Sequence, residues 1–181
     1  MVKKQIGLLT VMCLCLSLSA CDVQADKKPE NVVFAVSDYP LQVTCPAGWE
    51  QEKSSNFDLQ CLSEEGDIAM SIYCYYDIDL PEALTSRQAL FEHQNQIVLD
   101  LRKNVTLVEN AAEREYGDKQ ITSVLYSAEK EGVKNYYFMN LVSLNNNDCF
   151  AWVLFTGVPS EITAQRKTIE QILETINSTA R

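Results

Sequence analysis

The chain reads as an α+β protein, an antiparallel β-sheet flanked by two main α-helices. Two observations predict this. Between Val105 and Phe155 apolar residues recur with period two in four runs separated by short polar turns, the pattern of sequential hairpins. Two other stretches, one after Thr85 and one after Pro159, carry apolar residues at helical spacing instead.

Residues 1–20 belong to export rather than to the fold. Lys3 and Lys4 precede an apolar run, Ile6 to Ala20, that is too short to cross a hydrocarbon core of about 30 Å as a helix. It closes on Leu18-Ser19-Ala20-Cys21, which resembles the lipobox of a bacterial lipoprotein, so the mature chain is expected to begin at an acylated Cys21. Asp22 comes next. In sorting of the enterobacterial kind an Asp at this place retains a lipoprotein, which favours the periplasmic face of the inner membrane. From Asp22 to about Asp38 the chain is charged and aperiodic, a flexible tether over residues 21–38 that leaves a single α+β domain over 39–181.

Structured chain is expected from Tyr39-Pro40, where Leu41, Val43 and Cys45 alternate toward a turn at Pro46-Ala47-Gly48. Leu59 and Cys61 mark a short strand. After the turn at Glu64 to Asp67, a longer strand runs from Ile68 to Tyr76, with Met70, Ile72, Cys74 and Tyr76 on one face and Ala69, Ser71, Tyr73 and Tyr75 on the other. Both faces are apolar or aromatic, so the strand should be covered on two sides. Thr85-x-x-Gln88 has the form of a capping box, followed by a helix to about Lys103 with Leu90, Phe91, Ile97, Val98 and Leu101 on its inner stripe, interrupted by Gln94.

Strands are then expected at Val105–Val108, Ile121–Ala128, Tyr136–Leu144 and Phe150–Phe155, punctuated by Tyr116-Gly117-Asp118, Glu131-Gly132 and Asn145-Asn146-Asn147-Asp148. Connections this short imply an antiparallel meander. Pro159-Ser160-Glu161 opens the second helix, whose inner stripe is Ile162, Ile169, Ile172, Leu173 and Ile176.

The formal net charge of −10 becomes −12 once Lys3 and Lys4 leave with the acid-free leader. Nucleic acid is excluded as a partner, since it is held by clustered Lys and Arg and here these are scattered among carboxylates. The same charge opposes adsorption to anionic headgroups, so contact with the membrane should rest on the lipid at Cys21.

Of seven cysteines, Cys13 and Cys15 leave with the leader and Cys21 takes lipid. Cys45, Cys61, Cys74 and Cys149 remain, an even number that in an oxidising compartment points to two disulfides. Three connectivities are open; Cys45 with Cys61 is favoured because it closes a short loop around Trp49, which leaves Cys74 with Cys149. A zinc site lacks support, as there is no C-x-x-C pair and His93 is the only histidine.

No residue set has the form of a catalytic centre, and no cofactor motif is present. His93 flanks the apolar stripe of its helix without a second histidine or a Gly-x-Ser-x-Gly elbow, and reads as a boundary residue. The acidic clusters Asp77-x-Asp79 and Glu64-Glu65-x-Asp67 fall where strands should turn and lack the spacing of a calcium loop. The aromatic residues carry more. Tyr73 and Tyr75 on one strand and Tyr136 and Tyr137 on another would form a protein-binding face if the strands lie near one another; packing under the helices is the competing reading. Trp49 and Trp152 are expected in the core.

The Pro46-Ala47-Gly48-Trp49 opening, the strand pair, the long helix, the strands through Gly117 and Gly132, and the closing Ile169-x-x-Ile172-Leu173-x-x-Ile176 helix resemble the Mog1/PsbP-like fold, most closely the DcrB-type bacterial lipoproteins. The resemblance covers roughly Tyr39 to Ser178. It implies an antiparallel sheet with helices on its faces, used for binding or assembly: members assist photosystem assembly, bind a small GTPase or escort secretion effectors. No shared catalytic motif transfers to positions here, and four mature cysteines set this chain apart from many relatives.

The leading expectation is a non-enzymatic envelope lipoprotein that binds another protein as an assembly or accessory factor. An immunity lipoprotein against a toxin delivered to the periplasm would use the same size, tether and negative charge. A cell-wall hydrolase working through Asp77 or Asp79 and a binder of a small apolar ligand between sheet and helix are the readings from other classes.

Overall fold

The computed structural model describes residues 30–84, 86–144 and 148–179. The leader, Cys21, Asp22, Thr85 and the Asn145–Asn147 turn lie outside them. Chain order is β1 (Val32–Ala35), β2 (Leu41–Cys45), β3 (Glu50–Glu52), β4 (Leu59–Leu62), β5 (Ile68–Tyr76), α1 (Arg87–Asp100), β6 (Lys103–Tyr116), β7 (Lys119–Lys130), β8 (Val133–Leu144), β9 (Cys149–Gly157), α2 (Pro159–Ala164), α3 (Arg166–Thr175) and β10 (Asn177–Ser178).

Seven strands make one antiparallel sheet in the order β3-β4-β5-β9-β8-β7-β6, and β1-β2-β10 form a small second sheet. The hairpins expected between β6 and β9 are present. At the β7–β8 turn Glu131 and Gly132 have φ of 55° and 82°, the positive values at both central residues that a type I′ turn requires. Gly48 ends the Pro46-Ala47-Gly48 turn at φ 86°, with Glu64 packed where a Cβ would stand.

The large sheet separates two apolar layers. On one face Met70, Ile72 and Cys74 of β5, Phe138 and Val142 of β8 and Ala151, Val153 and Phe155 of β9 pack beneath β2 and against Ile169, Ile172 and Leu173 of α3. On the other, Tyr137, Met139, Leu141, Phe150, Trp152 and Leu154 lie under Leu90 and Phe91 of α1. β5 is thus covered on both sides, as its two apolar faces required. Trp49 is buried and meets Phe155 edge to face at 6.5 Å.

Four expectations change. Folded chain begins at β1, inside the stretch read as tether, because Val32 to Ala35 pair with Gln42 to Cys45 and bury Phe34. The first of the four successive strand runs starts at Lys103 and is much longer than the expected Val105–Val108: β6 is an edge strand exposed on both faces, so burial imposes no alternation on its sequence. The closing helix is two helices, broken at Gln165, whose φ of −97° and ψ of 11° leave the helical region. The cap of α1 is Ser86, whose hydroxyl accepts from the Ala89 N–H at 3.1 Å.

The disulfides expected among Cys45, Cys61, Cys74 and Cys149 are not formed in this structure; all four are free thiols buried in the α3-side core. The favoured partners are nonetheless neighbours, since a charge on Cys61 would act on Cys45 and one on Cys149 on Cys74. Cys74 is registered with Ala151 and Cys149 with Tyr76, so the two cysteines sit diagonally. Diagonal neighbours of a ladder stand farther apart than directly opposite ones.

A candidate binding cleft beside helix α1

α1 is fastened at its start and open at its end. The Arg87 guanidinium donates to Glu113 of β6 at 3.1 Å and to the Gln120 and Thr122 side chains of β7. Leu90 and Phe91 are buried against the sheet. One turn on, buried Asn95 accepts at Oδ1 from the Trp152 indole N–H at 3.0 Å. Beyond that bond the stripe emerges into solvent, leaving Ile97 47% and Leu101 72% exposed, although helical spacing had placed both inside.

Between this half of α1 and the sheet lies a cleft of about 790 Å³. Tyr73, Trp152 and Leu154 supply its sheet side, Ile97, Val98 and Leu101 its helix side, and Phe57 enters from the β3–β4 connection. The rings form a continuous wall: Phe57 lies 4.8 Å from Tyr73, and Tyr73 lies 6.3 Å from Trp152, centroid to centroid. Burial, and secondarily the Asp58 carboxylate, hold the Tyr73 phenol above its usual pKa, so it stays a protonated donor at neutral pH.

Arg102, Lys103, Glu129, Lys130 and Glu131 border the cleft. Arg102 donates from Nε to the Tyr137 hydroxyl at 2.9 Å and from Nη1 to the Leu101 carbonyl at 3.1 Å. Glu129 accepts from Asn104 at 2.8 Å. The border carries three cations and two anions on a chain whose net charge is −10.

The expected tyrosine face is only partly assembled. Tyr73 and Tyr75 are half-buried neighbours on the α1 side, 6.4 Å apart. Tyr137 shares that side but is 1% exposed, and Tyr136 packs against the opposite layer. Adjacent residues of a strand point to opposite faces, so the pair could not have served one surface. His93 is exposed on α1, and Asp77 and Asp79 are exposed in a 3₁₀ turn. Among the described residues no three His, Cys, Asp or Glu side chains gather into a metal-holding set, and no helix is long and apolar enough to cross a membrane.

Neither a family model nor any curated protein matches this chain. Solved structures do. The cyanobacterial PsbP (CyanoP) of Synechocystis superposes with a TM-score of 0.58 at 12% identity, over 89% of this chain and 98% of that one. The Ran-binding protein Mog1p of Saccharomyces cerevisiae gives 0.55 at 9%, over 83% and 96%. LpqN of Mycobacterium tuberculosis, described as involved in cell envelope biogenesis, gives 0.53 at 11%, over 86% and 88%. Likeness at such identity is likeness of fold: the chain has the Mog1/PsbP-like fold.

Proposed function

We propose that this chain is a non-enzymatic accessory protein of the bacterial envelope, of the DcrB type, anchored by acyl groups on Cys21 and working by binding at the cleft beside α1. The cleft carries the reading: it sets Ile97 and Leu101 in solvent opposite an aromatic wall, and contiguous apolar surface of this kind marks an interaction site. Two solved proteins of the same fold point the same way, one a Ran-binding protein and one involved in cell envelope biogenesis. Cys21 followed by Asp22 favours the periplasmic face of the inner membrane, and fractionation of wild type against Asp22→Ser tests that placement.

The test of the function is capture of the lipidated chain from native envelopes, with bound lipids and proteins compared between wild type and Leu101→Asp. A companion lost from the variant is the expected result. A full complement retained by the variant would remove the cleft from its role.

A protein partner, in the adaptor or immunity sense, is the second reading, and β6 favours it. This fourteen-residue strand forms an edge of the sheet and exposes Val105, Leu107 and Val108, a place where an added strand could pair. A basic toxin steered by the negative charge would associate more slowly as salt rises.

A further inference from the structure

We propose that the cleft beside α1 takes an amphiphile, an apolar chain ending in a single anionic group of the carboxylate or phosphate kind. The inference rests on the reading of the cleft as the binding site and names its ligand class.

Size and lining come first. A volume of about 790 Å³ falls among small-molecule sites, roughly 300–1,000 Å³. Trp152, Tyr73, Leu154 and Ile97, Val98 and Leu101 of α1 give it an apolar wall that gains by excluding water, beside the uncharged polar side chains of Asn56 and Gln94. An entirely polar ligand would leave this wall unsatisfied by contact, whereas an alkyl chain covers it.

Charge then selects the head. The Lys103 and Lys130 ammonium groups border the cleft with no hydrogen bond or ion pair to another described residue, while the Glu129 carboxylate is already engaged by Asn104. A chain this acidic would repel an anion from most of its surface, yet here the border is cationic by one charge. An anionic head at the border, with its chain lying along Ile97 and Leu101, answers both halves of the site. A membrane anchor at Cys21 would hold the cleft within reach of such molecules.

The experiment uses the full lipidated chain in phosphatidylcholine vesicles and three photoreactive probes with one diazirine-bearing hexadecyl chain: the acid, the alcohol and the amine. A small neutral photoreactive hydrophobe, diazirinyl-adamantane, reports on the cleft itself. The acid should label peptides carrying α1 and Phe57 about tenfold more than the alcohol or amine, as expected for one charge-assisted contact. Lys103→Glu with Lys130→Glu should erase that preference, and Leu101→Asp should erase labelling of the site altogether.

Equal labelling by acid, alcohol and amine, or a shift of the preference to the amine, would overturn the ligand class while adamantane labelling keeps the cleft. Absence of cleft labelling by every probe, adamantane included, would overturn the binding-site reading beneath it. Protection of the cleft by a second copy, seen as a dimer in which α1 is unlabelled, or by a bound protein segment, would likewise overturn the amphiphile.

Discussion

Trp152 Nε1 donates to Asn95 Oδ1 at 3.0 Å within the apolar layer between α1 and the sheet, so one polar bond ties the middle of the helix to β9. An indole N–H left alone there would carry the full cost of its desolvation, about 1–3 kcal/mol. Asn95→Leu should therefore lower unfolding free energy by about that much in urea titrations. In a cycle with Trp152→Phe the double variant should lose less than the sum of the singles, since no orphaned donor remains. Strict additivity would show that the bond contributes nothing.

A second buried polar anchor lies at the other end of the molecule. Lys119 is 4% exposed, and its ammonium donates to the carbonyls of Glu174 and Ile176 and to Asn177 Oδ1, closing the end of α3. Burial lowers its pKa, against the pull of Asp118 and Glu174. Lys119→Met keeps the apolar stem and strips three acceptors of their donor. It should destabilise the fold by about 1–3 kcal/mol and speed amide exchange in residues 173–178 before elsewhere.

How much of this was legible in the sequence follows from what each residue's pattern could report. Apolar and aromatic runs bounded by turn residues located β5 and β7 to β9, because most positions on both of their faces are buried, and Gly117 and Gly132 marked the turns on either side of β7. β6 escaped because an edge strand exposed on both sides leaves no alternation to read. Helical spacing identified α1 but assigned Ile97 and Leu101 to the core, since a stripe records which side of a helix is apolar and not how far the sheet extends beneath it. Gln94 within that stripe was the available signal. No sequence pattern singles out Lys119, and only the return of α3 buries it. The cleft joins residues from five separate segments, so no local pattern could have shown it.

The two halves of α1 should respond oppositely to truncation. Leu90 is fully buried, and Leu90→Ala should cost about 2–5 kcal/mol. Leu101→Ala, at a site 72% exposed, should stay within about 0.5 kcal/mol. Melting curves for the pair check this: a large loss at Leu101 would mean that it serves packing rather than the cleft.

The buried thiols give the protein a predictable weakness in alkali. Burial pushes Cys61 up to about 12 and Cys149 to about 11 from an ordinary 9.0, and raises Cys45 and Cys74 as well. The folded chain therefore keeps protons that the unfolded chain releases above about pH 9. Stability from these groups is intact below that pH and declines as pH rises toward the folded values, by up to about 1.4 kcal/mol per pH unit for each thiol. Tyr39, Tyr73 and Tyr75, raised chiefly by burial, act in the same direction, and Lys119, lowered by burial, acts against it. Urea midpoints should thus fall between pH 8.5 and pH 10.5 (roughly the span set by these shifts), while iodoacetamide modifies these cysteines only after unfolding. A chain cross-linked at the same cysteines would have no thiols to titrate, would resist alkylation even when unfolded without reductant, and would show only the shallower decline of the tyrosines.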